Sequence, residues 1–178
     1  MDEDLEEAIA LGVRRKIYNT VNRNPGLHFR EIQRRTMVAT GALQYHLDFL
    51  SKRHLLRTIK DGKFVRYYSI RGKQLGEDER LMGVLRQYSL RRIIVFLLTK
   101  RKATNVQISK NVSLSPSTTS WHLDKLVQFG IVGKRQSAKK TYFTVLEPAR
   151  IAVLLQGYKR SFFDEMVDNF VDAWQGFG

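Results

Sequence analysis

The chain has 178 residues, 43% hydrophobic and 27% charged, with no cysteine and a formal net charge of +14. This indicates a soluble globular protein of one or two domains. It excludes disulfides, thiol redox sensing and thiolate metal sites, and fits a cytoplasmic setting. No apolar run approaches the roughly 18 residues of a membrane span. The start, Met1-Asp2-Glu3-Asp4, is acidic where a secretory leader would be basic.

In chain order, Leu5, Ile9, Val13, Ile17 and Val21 recur every four residues and predict one amphipathic helix. Asn24-Pro25-Gly26 ends it. Residues 29–35 are a short second helix anchored by Ile32, and Met37-Val38-Ala39 is a turn. Thr40 is the expected N-cap of a third helix through Arg53, with Leu43, Leu47 and Leu50 as its core-facing stripe. Residues 55–59 and 64–70 read as strands joined through Asp61-Gly62, a hairpin signal. A polar stretch (72–79) and a connecting helix (80–88) follow.

The same order then returns. Helices are expected at 91–100 and 105–111, and a third opens at Ser115-Pro116 and stops at Gly130. Strands follow near 131–136 and 141–146, with Lys139-Lys140 at the tip. The repeat is legible in the residues themselves. Gln44-Tyr45-His46-Leu47-Asp48-Phe49-Leu50 comes back as Ser120-Trp121-His122-Leu123-Asp124-Lys125-Leu126, displaced by 76 residues. Upstream, Arg14-Arg15 answers to Arg91-Arg92. Downstream, Tyr67-Tyr68-Ser69-Ile70 answers to Tyr142-Phe143-Thr144-Val145, so two one-residue length changes are expected. One unit used twice organises the chain.

The charge is unevenly spread. Residues 1–10 hold five acids and residues 161–178 hold four, with no Lys or Arg in either stretch. All 31 bases lie in 11–160 against eight acids, a net +23. Such a field attracts polyanions, nucleic acid first and anionic membrane second.

Helix, helix, helix, two-stranded hairpin resembles the winged-helix variant of helix-turn-helix, over about residues 10–70 and 88–146. Its most specific piece is the third helix, Thr40-Gly41-Ala42-Leu43-Gln44-Tyr45-His46-Leu47 and again Ser115-Pro116-Ser117-Thr118-Thr119-Ser120-Trp121-His122-Leu123. These stretches resemble the recognition helices of arsenic-sensor-like and multiple-antibiotic-resistance-like transcription regulators. The tandem arrangement, with Asn-Pro-Gly before the second helix, is similar to archaeal regulators with two such domains. The resemblance implies a mainly α fold with small β-hairpins, two winged-helix domains (1–75 and 76–146) and a C-terminal helix (147–178). It implies a non-enzymatic, sequence-specific regulator that binds double-stranded DNA in the cytoplasm, at the nucleoid.

The candidate contacts follow from the groove-reading geometry of such a helix. With its leucines buried, the third helix presents Thr40, Gly41, Gln44, Tyr45 and Asp48, and Gln44 can pair bidentately with adenine. The second unit presents Ser115, Ser117, Thr118, Ser120, Trp121 and Asp124. Arg30, Arg34 and Arg35 are candidate phosphate contacts. Lys60, Lys63 and Arg66 flank the first wing, and Lys134, Arg135, Lys139 and Lys140 the second. Asp48 is expected to pair with a neighbour such as Lys52 rather than to face phosphate. The histidines show no metal-ligand spacing, no cofactor is implied, and no catalytic motif stands out.

From Glu147-Pro148 a last helix is expected to reach Trp174, with a broad apolar stripe that includes Ile151, Leu155, Phe162, Phe163, Val167, Phe170 and Trp174. It packs on its own chain or forms a homodimer interface, and the second is the expectation carried forward. Two rival functions remain: a winged-helix scaffolding module of transcription or replication machinery, and a single-stranded nucleic-acid binder that stacks bases on Tyr45 and Trp121.

Overall fold

Apolar side chains three and four apart turn one face of Gly12–Arg23 (α1) inward at Ile17, Tyr18 and Val21. The computed structural model describes residues 10–70, 76 and 78–175 and divides into two units, Met1–Gly83 and Val84–Gly178. Leu5 and Ile9 of the expected first stripe lie outside the described residues, and Val13 is exposed in the first turn of α1.

In the first unit α1 ends at Asn24, whose backbone N–H and side-chain Nδ2 both donate to the Thr20 carbonyl, at 3.1 and 2.7 Å. Pro25 has no N–H to continue the helix, and Gly26 takes φ +81°. The chain then makes a two-residue strand, Leu27–His28 (β1), before Phe29–Thr36 (α2) and Thr40–Lys52 (α3). Leu56–Asp61 (β2) and Phe64–Ser69 (β3) form the hairpin, and β1 pairs with the other edge of β3, giving the order β1-β3-β2. Leu43, Leu47 and Leu50 of α3 are fully buried with Ile17, Val21, Leu27 and Ile32. Thr40 is not the N-cap. It is the first helical residue, Ala39 precedes it without a side-chain cap, and the Thr40 hydroxyl accepts from Gln33 Nε2 at 2.8 Å.

The second unit repeats this order: Tyr88–Lys100 (α5), Ala103–Thr104 (β4), Asn105–Val112 (α6), Pro116–Gln128 (α7), Val132–Ser137 (β5) and Lys140–Val145 (β6), with sheet order β4-β6-β5. Helix Asp78–Arg86 (α4) carries the boundary between the units. Ser115 caps α7, its Oγ accepting from the Thr118 N–H at 3.1 Å, with Pro116 at the first helical position and Gly130 at φ +68° beyond the last turn. Strand register corrects the sequence alignment of the wings. Leu56 pairs with Ser69 and Val132 with Val145, so both wings have one length and Tyr67 corresponds to Phe143, not Tyr142. The second length change is absent because both strands of each wing share a single displacement of 76.

The tail is three helices rather than one: Pro148–Gly157 (α8), Lys159–Phe162 (α9) and Glu165–Gln175 (α10). Phe163 takes the left-handed φ of +49°. Asp164 opens α10, its Oδ1 accepting from the Met166 N–H at 3.1 Å. Ile151, Leu155, Phe162, Val167, Phe170 and Val171 are buried within the second unit, where α10 packs on α5 and α8. Among the described residues no helix is long and apolar enough to cross a membrane.

Candidate nucleic-acid interface

A helix that buries every leucine on one side must turn its remaining side chains to solvent. On α3, Thr40, Gly41, Gln44, Tyr45 and Asp48 are all exposed, Tyr45 to 60%. On α7, Ser117, Thr118, Ser120, Trp121 and Asp124 are exposed, Trp121 to 61%. The two aromatics occupy equivalent positions and stand out to nearly the same extent.

Each aromatic rests edge-on against the histidine that follows it. The Tyr45 and His46 rings lie 5.2 Å apart at 67°, and those of Trp121 and His122 lie 4.9 Å apart at 62°. Both imidazoles turn Nδ1 inward, where it meets no hydrogen-bond partner among the described residues. Burial holds both histidines below their ordinary value, reinforced by the positive charge of Arg14 near His46 and of Lys125 near His122. Both shifts favour the neutral imidazole beneath each exposed aromatic.

The expected phosphate contacts divide. Arg30 and Arg34 are exposed at the surface of α2. Arg35 is half-buried and donates to Asn24 Oδ1 at 2.6 Å. Burial lowers its pKa from the ordinary guanidinium value, against the pull of Glu31. Lys60 and Lys63 are exposed on the first wing and Lys134, Arg135, Lys139 and Lys140 on the second. Arg66 does not join them. It is 3% exposed, its Nε donates to Asp61 at 2.6 Å, and its Nη1 donates to the Gly26 carbonyl at 2.9 Å. It sits on β3 opposite His28 of β1, and Gly83 of α4 lies against it, where an added Cβ would come within 3.3 Å of Arg66 Cδ. Asp48 also departs from expectation: it accepts from Gln44 Nε2 at 2.9 Å rather than pairing with Lys52. Ser115 is exposed, but its hydroxyl is engaged in capping and in bonds to the Ser117 and Thr118 hydroxyls at 3.0 and 2.8 Å.

The corner between helix and wing distinguishes the units. In the second, a recess of about 850 Å³ is lined by Thr104, Gln107, Ser117, Ser120, Lys134 and Lys140, among others. Its lining is mostly apolar, from Val106, Pro116, Tyr142 and Phe143, but it carries several hydroxyls and two lysine amines, groups suited to phosphate oxygens. In the first unit, His28 and Phe64 stand where the second has Thr104 and Lys140, and their rings stack at 4.8 Å and 12°. Burial lowers the pKa of His28, while Glu31 opposes the shift and Arg66, Arg34 and Arg30 add to it. Sequence reasoning missed both this stack and the recess. The pairing of β1 with β3, which joins His28 to the wing, has no periodic signal over two residues.

A family model described as an N-terminal HTH domain matches residues 12–81, and that of the bacterial regulatory protein arsR family matches residues 89–134. The two matches fall on the two repeats. Fold, exposed third helices and matches together define a tandem winged-helix chain of the helix-turn-helix type. Among curated proteins the chain is similar to an uncharacterized HTH-type transcriptional regulator of Methanocaldococcus jannaschii, 28% identical over 144 residues. That similarity covers 81% of this chain and 36% of the relative, so the chain matches only about a third of the relative's length.

Proposed function

We propose that the chain is a sequence-specific regulator of transcription that binds double-stranded DNA with α3 and α7 in major grooves and the wings along the adjoining backbone. The observation that carries this is the paired exposure of Gln44 and Tyr45 on α3 and of Ser120 and Trp121 on α7, each helix flanked by a wing bearing exposed lysines. An α-helix fits the major groove, and cationic wings position it without reading sequence. The proposed role is non-enzymatic and places the protein at the chromosome.

The test is titration of the full chain onto duplex DNA from its own promoter region at rising salt. Affinity that falls steeply and log-linearly with salt is expected, because neutralised phosphates release counterions. No binding at low salt, or binding indifferent to salt, would sink the reading. Single-stranded competitor decides between groove reading and base stacking on Tyr45 and Trp121: preference for the single strand would favour stacking.

The regulator is further proposed to act as a homodimer through its tail. Phe163, 81% exposed, and Val153, 64% exposed, support this as apolar tail side chains with large solvent-exposed surface. Light scattering of the full chain and of a Phe163→Asp, Val153→Asp variant tests it. A monomer at tens of micromolar, or a dimer indifferent to both substitutions, would rule the tail surface out.

A further inference from the structure

The exposed face of α3 contains one internal hydrogen bond, from Gln44 Nε2 to Asp48 Oδ1 at 2.9 Å across a single helical turn. A carboxylate only accepts, so this bond fixes which end of the amide is nitrogen. An unrestrained glutamine on a helix surface samples many rotamers and both amide orientations. Gln44 is tethered before any ligand arrives. Among the described residues its Oε1 accepts no hydrogen bond, and an acceptor next to a donor is the pair that the major-groove edge of adenine requires. The second unit supplies the contrast. Asp124 stands where Asp48 does, but Ser120 replaces Gln44, and Asp124 makes no hydrogen bond or ion pair among the described residues. The carboxylate is therefore repeated while the amide that it could orient is not.

We propose that Asp48 is a positioning residue for base readout: it holds the Gln44 amide so that Oε1 and the N–H beside it face adenine, and so sets the first unit's preference for an A·T pair. This deepens the duplex-binding reading and rests on it. This readout requires the bond to Asp48 to take the amide hydrogen that points away from Oε1, which leaves the other beside Oε1 for the base. Asp48 touches no base, and its negative charge opposes phosphate, so its presence lowers affinity for every duplex while raising discrimination.

The experiment is selection from randomised duplexes by the full chain, followed by affinity measurement on the best site and on the same site with its adenine replaced. Wild type, Asp48→Ala, Asp48→Asn, Gln44→Ala and Gln44→Ala/Asp48→Ala are compared. Removing the preset orientation is expected to reduce adenine discrimination roughly 3- to 10-fold, from the rotamer freedom returned to Gln44. Affinity for random duplex should stay level or rise. Asn can present either end of its own amide, so Asp48→Asn should lose discrimination too. In the Gln44→Ala background, Asp48→Ala should change discrimination no further. A merely structural Asp48 would instead lower specific and random binding together, which overturns the proposal. A preference for C·G that depends on Asp48 and survives Gln44→Ala also overturns it, because Asp48 would then accept directly from cytosine. Duplex binding by the wild type without any base preference would sink this assignment but leave the electrostatic part of the reading standing. No duplex binding at all would sink both.

Discussion

Arg91 and Asp164 form an ion pair, Nε to Oδ2 at 2.7 Å, with both side chains only 7% exposed. Arg91 Nη1 also donates to the Leu85 carbonyl at 2.7 Å, and nearby Arg86 donates to the Ser161 carbonyl and hydroxyl at 2.8 and 2.9 Å. Two arginines at the start of the second unit thus hold the α9–α10 junction. Such a pair does little net work compared with a well-packed apolar replacement, but breaking one side leaves a buried charge unpaired. Asp164→Ala should cost about 3–5 kcal/mol in urea unfolding of the full chain. The double replacement Arg91→Met, Asp164→Leu should recover most of that loss. If Asp164→Ala costs under about 1 kcal/mol, the pair is solvated in solution and does not anchor the tail.

The lowered histidines set a pH dependence. For His28, His46 and His122, burial is the largest cause in each case, and each pKa lies below the ordinary 6.5. A base with a depressed folded pKa binds fewer protons folded than unfolded. Its stabilising contribution is therefore complete above about pH 6.5 and is lost as pH falls below that value. Thermal melts at pH 7.5, 6.5 and 5.5 should show declining stability at the acid end. His46→Gln and His122→Gln should flatten the decline. An unchanged slope in the double variant would show that these imidazoles do not carry it.

Arg66 and Lys63 lie three residues apart on one wing and should respond oppositely. Lys63 is exposed at the turn beside Phe64, with its Nζ 5.4 Å from that ring, whereas Arg66 bridges Asp61 and Gly26 in the interior. Lys63→Ala should leave stability within about 0.5 kcal/mol and lower the salt slope of duplex binding by about one. Arg66→Ala should destabilise the first unit by about 2–4 kcal/mol, because it removes a buried side chain together with its ion pair to half-buried Asp61 and the donor to the buried Gly26 carbonyl. At temperatures where the variant stays folded, its salt slope should match the wild type. A slope reduced by Arg66→Ala in fully folded protein would put this side chain on the phosphates after all.

What the sequence made legible and what it hid follow the range of the forces involved. The buried faces of α3 and α7 were readable because leucines at helical spacing report burial locally, and the repeat reinforced each reading with the other. Arg66 was not readable. Its partners come from distant segments, the Gly26 carbonyl 40 residues before it and Gly83 of α4 after it, and the two-residue strand that follows Gly26 leaves no period. The tail stripe was visible as apolar, but periodicity cannot say whether a face is covered by its own unit. Asp164, an acid amid Phe162, Phe163 and Val167, was the available signal that the helix breaks there and that a buried base awaits it. Gln44 was singled out for its chemistry. Its bond to Asp48 is the i,i+4 relation of polar partners on a helix, which the same spacing could have suggested.

Gly41 separates stability from binding. A Cβ built on it meets nothing within 4 Å, and its φ is not in the left-handed region, so nothing in the free protein requires glycine there. Glycine inside a helix costs about 0.5–1 kcal/mol relative to alanine through the entropy of the unfolded chain. Gly41→Ala should therefore stabilise the first unit by up to that amount, read as a rise in its melting temperature of a few degrees. On duplex DNA the sign should reverse. The first turn of α3 is where a groove-entering helix comes closest to base edges and phosphate, and the added methyl group would hold the backbone away. A loss of roughly tenfold in duplex affinity, equivalent to about 1.4 kcal/mol, is expected in spite of the stabler fold. A variant that is stabler and binds duplex as tightly as the wild type would show that the start of α3 does not approach the groove, and would move the contact surface toward Tyr45 and the wing.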